Sequence, residues 1–215
     1  FNFKKISGTA GGIVGYSIAS VLNCHSRGRI SGSVIAKGGG ASGIVGRMTL
    51  NTKTVYVYRC STLVNLTIDS SSAGPVASII GRTGEGAGVH LLDCFSISNN
   101  SFTGSDGVWY GGVLTYDYLG SDKNGATAYN HRVENAVSYT NIVSNETRPH
   151  SQGSLFNGWS DLNTYLKTDI KNTYTAGKVS VRGAAAKDIY SGIFYGGQTK
   201  YVQQITGSNI NWYGA

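Results

Sequence analysis

Short apolar segments, separated by glycine and polar residues, recur along the whole chain. One of them is a four-residue box that first occurs at Gly12–Gly15 with the sequence GIVG. Its copies begin at residues 12, 43, 78, 112, 154 and 192, so their spacing is 31 to 42 residues. The copies are rich in β-branched residues, and none has a sustained apolar period of 3.6 residues. The pattern therefore predicts an all-β repeat protein.

A second box follows each copy of the first, and it begins in the first repeat as Val21–Ser26 with the sequence VLNCHS. Its first position is branched and apolar in every copy: Val21, Val57, Leu91, Val133, Ile170 and Val202. Its fourth position is small or apolar: Cys24, Cys60, Cys94, Ala136, Thr173 and Ile205. Such columns arise when successive turns of the chain stack at the spacing of β-strands, roughly 4.8 Å.

The repeat predicts a single-stranded parallel β-helix, or β-solenoid, that forms one domain over residues 1–215. We expect about six three-faced coils, whose faces are the first box, the second box and the segment around Ile30. The predicted coils are residues 10–40, 41–75, 76–109, 110–151, 152–190 and 191–215, with 1–9 as the end of a preceding coil. The chain begins within a repeat and without an apolar leader, so we expect a processed chain or a piece of a longer one.

The best-preserved motif resembles a known repeat. Gly11–Tyr16, with the sequence GGIVGY, followed by Asn23 and Cys24, is similar to the GLUG repeat of bacterial surface proteins. That family includes adhesins and the non-catalytic regions of IgA-specific metallopeptidases. The similarity is close over residues 10–104, and beyond them it is limited to spacing and apolar character. It implies a right-handed parallel β-helix on an extracellular or cell-surface protein, with no catalytic residue to carry over.

Composition supports a folded chain without a membrane span. Charged residues make up 13%, about half the usual share, and there are 31 glycines but only 2 prolines. An aromatic content of 11% argues against disorder. No run of 18 or more apolar residues occurs, so the sequence predicts no membrane-spanning helix.

The net charge of +7 is concentrated in the first third of the chain. Residues 1–60 contain no acid and eight basic residues: Lys4, Lys5, Arg27, Arg29, Lys37, Arg47, Lys53 and Arg59. Arg47 and Arg82 each follow a first box, so we expect them to stack in one column with Tyr16. Stacked like charges repel unless an anion joins them, which points to an anionic ligand such as a surface glycan. A solvated basic face is the alternative, and no motif indicates a nucleic-acid partner.

The three cysteines occur at one phase of the repeat, and their spacing of 36 and 34 residues matches no zinc motif. We expect a structural stack of buried thiols, with a disulfide between coils as the alternative. The polar residues directly before the fourth position of the second box predict another stack, with amide hydrogen bonds and an Arg59–Asp93 pair. They are Asn23, Arg59, Asp93, Asn135, Asn172 and Gln204. The four histidines, His25, His90, His131 and His150, are expected at solvated positions.

No catalytic motif is present, and the 11 acidic residues show no converging pair. We therefore expect no enzymatic activity, cofactor or metal site. The leading hypothesis is a non-enzymatic structural or adhesive module outside the cell or at its surface. One alternative is a homo-oligomeric fibre subunit that stacks end to end, because neither end shows a polar cap. A second alternative is a β-helix that binds or cleaves polysaccharide.

Overall fold

The computed structural model describes residues 2–6, 8–34, 40–48, 54–71, 74–83, 88–116, 129–147, 152–153, 156–160, 166–182, 195–199 and 204–214. Within these ranges the chain forms strands joined by short bends and turns, and no helix occurs there.

The strands are numbered in chain order. The first thirteen are β1 (Asn2–Ile6), β2 (Thr9–Gly11), β3 (Val14–Ser17), β4 (Val21–Leu22), β5 (His25–Val34), β6 (Gly40–Ser42), β7 (Val45–Met48), β8 (Val55–Tyr58), β9 (Ser61–Ser70), β10 (Gly74–Ala77), β11 (Ile80–Thr83), β12 (Val89–Leu92) and β13 (Phe95–Gly104). The others are β14 (Val108–Gly111), β15 (Leu114–Tyr116), β16 (Tyr129–Glu134), β17 (Val137–Glu146), β18 (Gln152–Gly153), β19 (Phe156–Ser160), β20 (Leu166–Gly177), β21 (Val179–Val181), β22 (Tyr195–Thr199) and β23 (Gln204–Gly214).

The described strands form three sheets. A 12-stranded sheet has the order β1-β5-β9-β13-β17-β20-β16-β12-β8-β4, with β21 paired to β17 and β23 paired to β20. A 5-stranded sheet has the order β18-β14-β10-β6-β2, and a 6-stranded sheet has the order β22-β19-β15-β11-β7-β3. The pairs within all three are parallel.

The chain visits the sheets in a repeated order. It passes from β2 in the 5-stranded sheet to β3 in the 6-stranded sheet, then to β4 and β5 in the 12-stranded sheet. The same order follows in β6 to β9, in β10 to β13 and in β14 to β17. The prediction of an all-β protein with long parallel sheets is confirmed, and the path is consistent with a solenoid.

Strand register brings the first position of the second box together in space. Val57 pairs with Val21 on one side and Leu91 on the other, and Val133 pairs with both Leu91 and Ile170. All five side chains are buried in one core cluster. The interior of the short strands is therefore a continuous column of branched apolar side chains.

The sixth repeat differs from its predicted alignment. Val202 lies outside the described residues, and Ile170 pairs with Gly207 instead. Thr173 pairs with Ile210, so the predicted match of Thr173 with Ile205 is wrong. The segment that continues the box is GSNI at residues 207–210, in which an asparagine again precedes the fourth position.

The first box contains a bend, so the prediction that it forms one face of a coil is wrong. Gly12 and Ile13 separate β2 from β3, and Gly43 and Ile44 separate β6 from β7. Glycine is required at the second bend because a Cβ atom on Gly43 would lie 2.6 Å from the carbonyl oxygen of Ser78. The two flanking strands can therefore diverge into different sheets.

The second box also contains a bend, at the residue before its fourth position. Five residues there have a left-handed backbone, with φ between 48° and 52°: Asn23, Arg59, Asp93, Asn135 and Asn172. We call these five residues the corner ladder. Asparagine and aspartate adopt this conformation at low cost, whereas an arginine rarely does. The 12-stranded sheet bends along this ladder, with the short strands on one side and the long strands on the other.

We predict that truncating the isoleucine at the bend of the first box lowers the free energy of unfolding more in the second repeat, at Ile44, than in the first repeat, at Ile13. Ile44 is 0% exposed, whereas the matched Ile13 is 45% exposed. Ile44→Ala should lower the free energy of unfolding by about 2–5 kcal/mol. Ile13→Ala should cost less than about 1.5 kcal/mol, because half of its surface already faces water. Urea denaturation measures both values, and equal losses would contradict the stacked arrangement.

Candidate functional site

The predicted arginine column, Tyr16, Arg47 and Arg82, lies on the 6-stranded sheet. Tyr16 of β3 pairs with Arg47 of β7, and the guanidinium carbon of Arg47 lies 5.8 Å from the centre of the Tyr16 ring. In the pairs Val45–Ile80 and Met48–Thr83 the two residues are separated by the same number of positions in the sequence. Arg82 of β11 therefore lies beside Arg47 of β7. The structure therefore brings the three residues together, with Tyr16 exposed and both arginines half-buried.

The three cysteines lie at matched positions of successive turns. Each directly precedes a long strand, and the pairs His25–Ser61 and Ser61–Phe95 fix their alignment. All three are free thiols, so no disulfide joins them in this structure. Cys60 and Cys94 are buried in the core cluster, and Cys24 packs against it.

The thiols interact with one another and with backbone carbonyl groups. The Cys60 thiol donates to the carbonyl oxygen of Val21 at 3.5 Å, and the Cys94 thiol donates to that of Val57 at 3.4 Å. The contact with the Cys94 thiol lowers the pKa of Cys60, whereas the same contact and burial raise the pKa of Cys94. Burial and the neighbouring Cys60 also raise the pKa of Cys24.

The corner ladder is held by side-chain hydrogen bonds between neighbouring turns. Asn135 Nδ2 donates to Asp93 Oδ1 at 2.8 Å, and Asn172 Nδ2 donates to Asn135 Oδ1 at 3.2 Å. Arg59 Nε lies 4.0 Å from Asp93 Oδ2. The predicted polar stack is confirmed for Asp93, Asn135 and Asn172 and for the Arg59–Asp93 pair. The prediction is wrong for Gln204, which pairs with Lys167 instead. Because the ladder is exposed, the ion pair contributes little stability by itself.

Buried polar residues form a network that the sequence did not reveal. Tyr110 is fully buried, and its hydroxyl lies 2.7 Å from Ser78 Oγ and 2.8 Å from Asn100 Nδ2, which donates to it. Asn100 also donates to Ser98 Oγ and accepts from the amide of Leu66 at 2.9 Å. Burial raises the pKa of Tyr110, so this phenol stays protonated as a structural group.

Histidine placement differs from the predicted solvated positions. His25 is exposed, with Nδ1 2.7 Å from Ser61 Oγ, but His131 is only 2% exposed. Nδ1 of His131 accepts a hydrogen bond from the amide of Val89 at 3.1 Å. The prediction is therefore wrong for His131, which lies two residues before the buried Val133 and points inward with it. His150 lies outside the described residues.

Two buried ionisable groups have opposite pKa shifts. Burial lowers the pKa of His131 to about 4, with a smaller contribution from the charge of His90. Burial raises the pKa of Glu146 to about 7, although hydrogen bonds from Ser144 Oγ and the amide of Val108 oppose the shift. These bonds measure 2.8 Å and 2.9 Å. Both groups are therefore neutral or partly neutral at neutral pH.

Other polar groups in the described ranges are engaged structurally. Glu134 forms an ion pair with Arg132, and Asp169 pairs with Lys171 at 2.9 Å. No group of three or more histidine, cysteine or acidic residues that could hold a metal ion occurs among the described residues.

A shallow apolar cavity of about 260 Å³ lies on the outer face of β4, β8 and β12. Its lining residues are Ser20, Leu22, Tyr56, Tyr58 and Leu92. Tyr56 packs edge-on against His90 with ring centres 5.3 Å apart. The cavity is smaller than most ligand pockets, so it is a weak candidate for a binding site.

Comparison with known proteins adds no family assignment: no family model, no curated protein and no solved structure matches the chain. The GLUG resemblance therefore stays a prediction. In the part of the chain that the structure describes, we find no helix with the length and apolar character needed to cross a membrane.

We predict that Glu146 and His131 make opposite contributions to the pH dependence of stability. Glu146 has a raised folded-state pKa, so its contribution to stability grows as pH falls from about 7 to 4.5. His131 has a lowered folded-state pKa, so its contribution is lost as pH falls from 6.5 to about 4. Each effect amounts to about 3 kcal/mol, and the two largely cancel between pH 5 and 6.

Glu146→Gln should expose the histidine effect, since the amide does not ionise. Its carbonyl oxygen can accept from the Val108 amide as Oε1 does, and its NH2 group can donate to Ser144 Oγ once that hydroxyl rotates. The variant should be more stable than the parent chain at pH 8 and lose stability steeply below pH 6.5. His131→Asn is the matched control and should gain stability as pH falls from 8 to 5. Urea denaturation across this pH range tests both variants, and parallel profiles for all three proteins would contradict the assignment.

Proposed function

We propose that this chain is a right-handed parallel β-helix of about six coils that acts as a non-enzymatic structural or adhesive module at the cell surface. The observation that carries the proposal is the register of the parallel strands, in which matched positions of successive repeats pair in order. Such a rod presents long, regular faces to the outside and needs no reactive site.

The surface location is supported by the GLUG-like motif. Gly11 directly precedes the bend at Gly12 and Ile13, and Asn23 precedes Cys24 at the left-handed corner. The glycine and asparagine residues of the motif thus lie at the bends of the chain. Members with this motif are bacterial surface proteins, and we extend that location to this chain.

The ligand that we propose for the adhesive role is an anionic glycan bound at the arginine column. The guanidinium groups of Arg47 and Arg82 lie in adjacent strands of one sheet, and Tyr16 adds an exposed ring beside them. Guanidinium groups form strong bidentate hydrogen bonds with carboxylate and sulfate groups. An acidic sugar would accept hydrogen bonds from the two guanidinium groups while its ring packs on the tyrosine.

We predict that Arg47→Ser/Arg82→Ser weakens binding to acidic polysaccharides by tenfold or more, or about 1.4 kcal/mol. Binding of the unmodified protein should also weaken as salt is added, because exposed charges are screened. Affinity electrophoresis in gels containing alginate or heparin measures the effect. The matched control is Arg27→Ser/Arg29→Ser, which removes the same charge from a different sheet.

The control should retain most of its binding. An equal loss in both double variants would indicate attraction by net charge alone, and unchanged binding in Arg47→Ser/Arg82→Ser would exclude the arginine column.

The second candidate function is a fibre subunit that stacks end to end. It is favoured by the sheet edges at β2, β3 and β4, which each end the order of their strands in the described sheets, whereas β5 is paired with β1. Ile13 is 45% exposed there, although the matched Ile44 and Ile79 are 0% exposed. An edge with unpaired backbone groups and an exposed apolar side chain invites a further strand layer.

We predict for this second candidate that filaments form as protein concentration rises and that Ile13→Asp prevents them. The substitution places a charge at the open edge, where a stacked layer would bury it. Electron micrographs and sedimentation measure the assembly. Val143→Asp is the matched control, since Val143 is 44% exposed but lies on the outer face of β17 and not at a sheet edge. A monomer at all concentrations would exclude the fibre.

A further inference from the structure

The outer face of the long strands has an exposed apolar surface. Burial alternates along β9, β13 and β17, so one side of each strand faces the core and the other faces solvent. Near the start of these strands and of the matching part of β20, the outward residues are apolar and 38–47% exposed. These residues, which we call the apolar strip, are Leu63, Phe95, Ile97, Val137, Tyr139 and Tyr174.

Strand register aligns the strip into two adjacent columns. Phe95 pairs with Val137, and Val137 pairs with Tyr174. Ile97 pairs with Tyr139 in the second column, and Leu63 lies in that column one strand earlier. The strip therefore runs across the strands, parallel to the direction in which the turns stack.

An exposed asparagine ladder borders the strip on one side. It consists of Asn65, Asn99 and Asn141 at successive strands. The backbone N–H of Asn99 donates to Asn65 Oδ1 at 2.8 Å, and the backbone N–H of Lys178 donates to Asn141 Oδ1 at 3.0 Å. Between the side chains, Asn141 Nδ2 donates to Asn99 Oδ1 at 2.8 Å. A primary amide has two donor hydrogens and two acceptor lone pairs, so these bonds leave capacity for a ligand.

The corner ladder borders the strip on the other side. Along β13 the order is Asp93 of the corner ladder, Phe95 and Ile97 of the strip, and Asn99 of the asparagine ladder. The two ladders are six residues apart, which is roughly 20 Å in an extended strand. The surface thus has an apolar centre with a row of hydrogen-bonding groups along each edge.

The charge of this surface limits the chemistry of its ligand. On β9, β13 and β17 the exposed and half-buried residues from the strip to the asparagine ladder are uncharged: Leu63, Asn65, Phe95, Ile97, Asn99, Val137, Tyr139 and Asn141. The neighbouring β5 carries Arg27 opposite Leu63 and Arg29 opposite Asn65, so the uncharged part of the surface ends there. Arg59 and Asp93 in the corner ladder lie 4.0 Å apart and offset each other. A lipid surface is disfavoured, since hydrocarbon would offer no partner to the amides along both edges.

We propose that the apolar strip and the adjoining asparagine ladder bind a neutral polysaccharide chain that lies along the stacking direction of the turns. A pyranose ring has apolar C–H faces and hydroxyl groups around its rim, which matches apolar side chains with a row of amides beside them. The turns repeat at roughly 4.8 Å, close to the length of one sugar unit in an extended chain. This surface lies on a different sheet from the arginine column, and the proposal does not depend on that column.

The test is affinity electrophoresis in gels that contain a soluble neutral polysaccharide: a mixed-linkage β-glucan, a galactomannan or an arabinoxylan. We expect at least one of them to retard the protein, and we expect the retardation to persist when salt is raised, since no ion pair is involved. Phe95→Ser/Tyr139→Ser should weaken that binding about tenfold, because two ring contacts are lost.

Two controls separate this surface from others. Tyr16→Ser removes an exposed ring from the 6-stranded sheet and should leave neutral polysaccharide binding unchanged. Arg47→Ser/Arg82→Ser should also leave it unchanged, so failure of the acidic-glycan proposal is distinguishable from failure of this one. Ile97→Lys, which places a charge in the centre of the strip, should abolish binding and serves if the double variant does not fold.

Three results would overturn the proposal. The first is no retardation by any of the three polysaccharides. The second is equal retardation of the parent chain, the Phe95→Ser/Tyr139→Ser variant and the Ile97→Lys variant. The third is a parent chain that sediments as a dimer while Ile97→Lys is a monomer, because the strip would then be covered by a second copy.

Discussion

Parallel pairing in continuous register places each side chain directly beside the matched side chain of the next strand. β5 and β9 pair over ten consecutive residues, and so do β13 and β17. Each side chain must therefore pack against the side chain at the matched position of the neighbouring strand, at a distance of roughly 4.8 Å. This requirement determines which residues the interior, the bends and the outer faces can carry.

Polar residues are accepted in the interior where the neighbouring strands supply hydrogen-bond partners. Ser96 Oγ donates to Ser138 Oγ in the next strand at 3.2 Å, and Ser26 Oγ donates to Thr62 Oγ1 at 3.0 Å. Asn100 occupies a column that is otherwise apolar, and its amide is satisfied by the Tyr110 hydroxyl. A buried polar group without such partners would cost more than its hydrogen bonds return.

The repeated columns were predictable because chemically matched residues recur at a fixed phase, as with Val57 and Leu91. The bends were not predictable, since the apolar residues of the first box indicate a continuous strand, whereas the chain bends at Gly43 and Ile44, where close packing leaves no room for a Cβ atom on Gly43. His131 points inward because side chains alternate between the two faces of a strand and His131 lies two residues before the buried Val133. A single polar residue in the sequence does not reveal this alternation. The apolar strip was also missed, since the sequence alone does not show which side of the sheet Phe95 and Tyr139 occupy.

The uniform offset between paired strands has a genetic consequence. All ten pairs of β5 and β9 are separated by the same number of residues, from His25–Ser61 to Val34–Ser70. Unequal recombination between two repeats of the coding sequence would join Cys24 to Ser61 and leave every column intact. A gene of this kind can therefore lengthen or shorten its product in whole repeats, so allelic variation in repeat number is compatible with an unchanged fold.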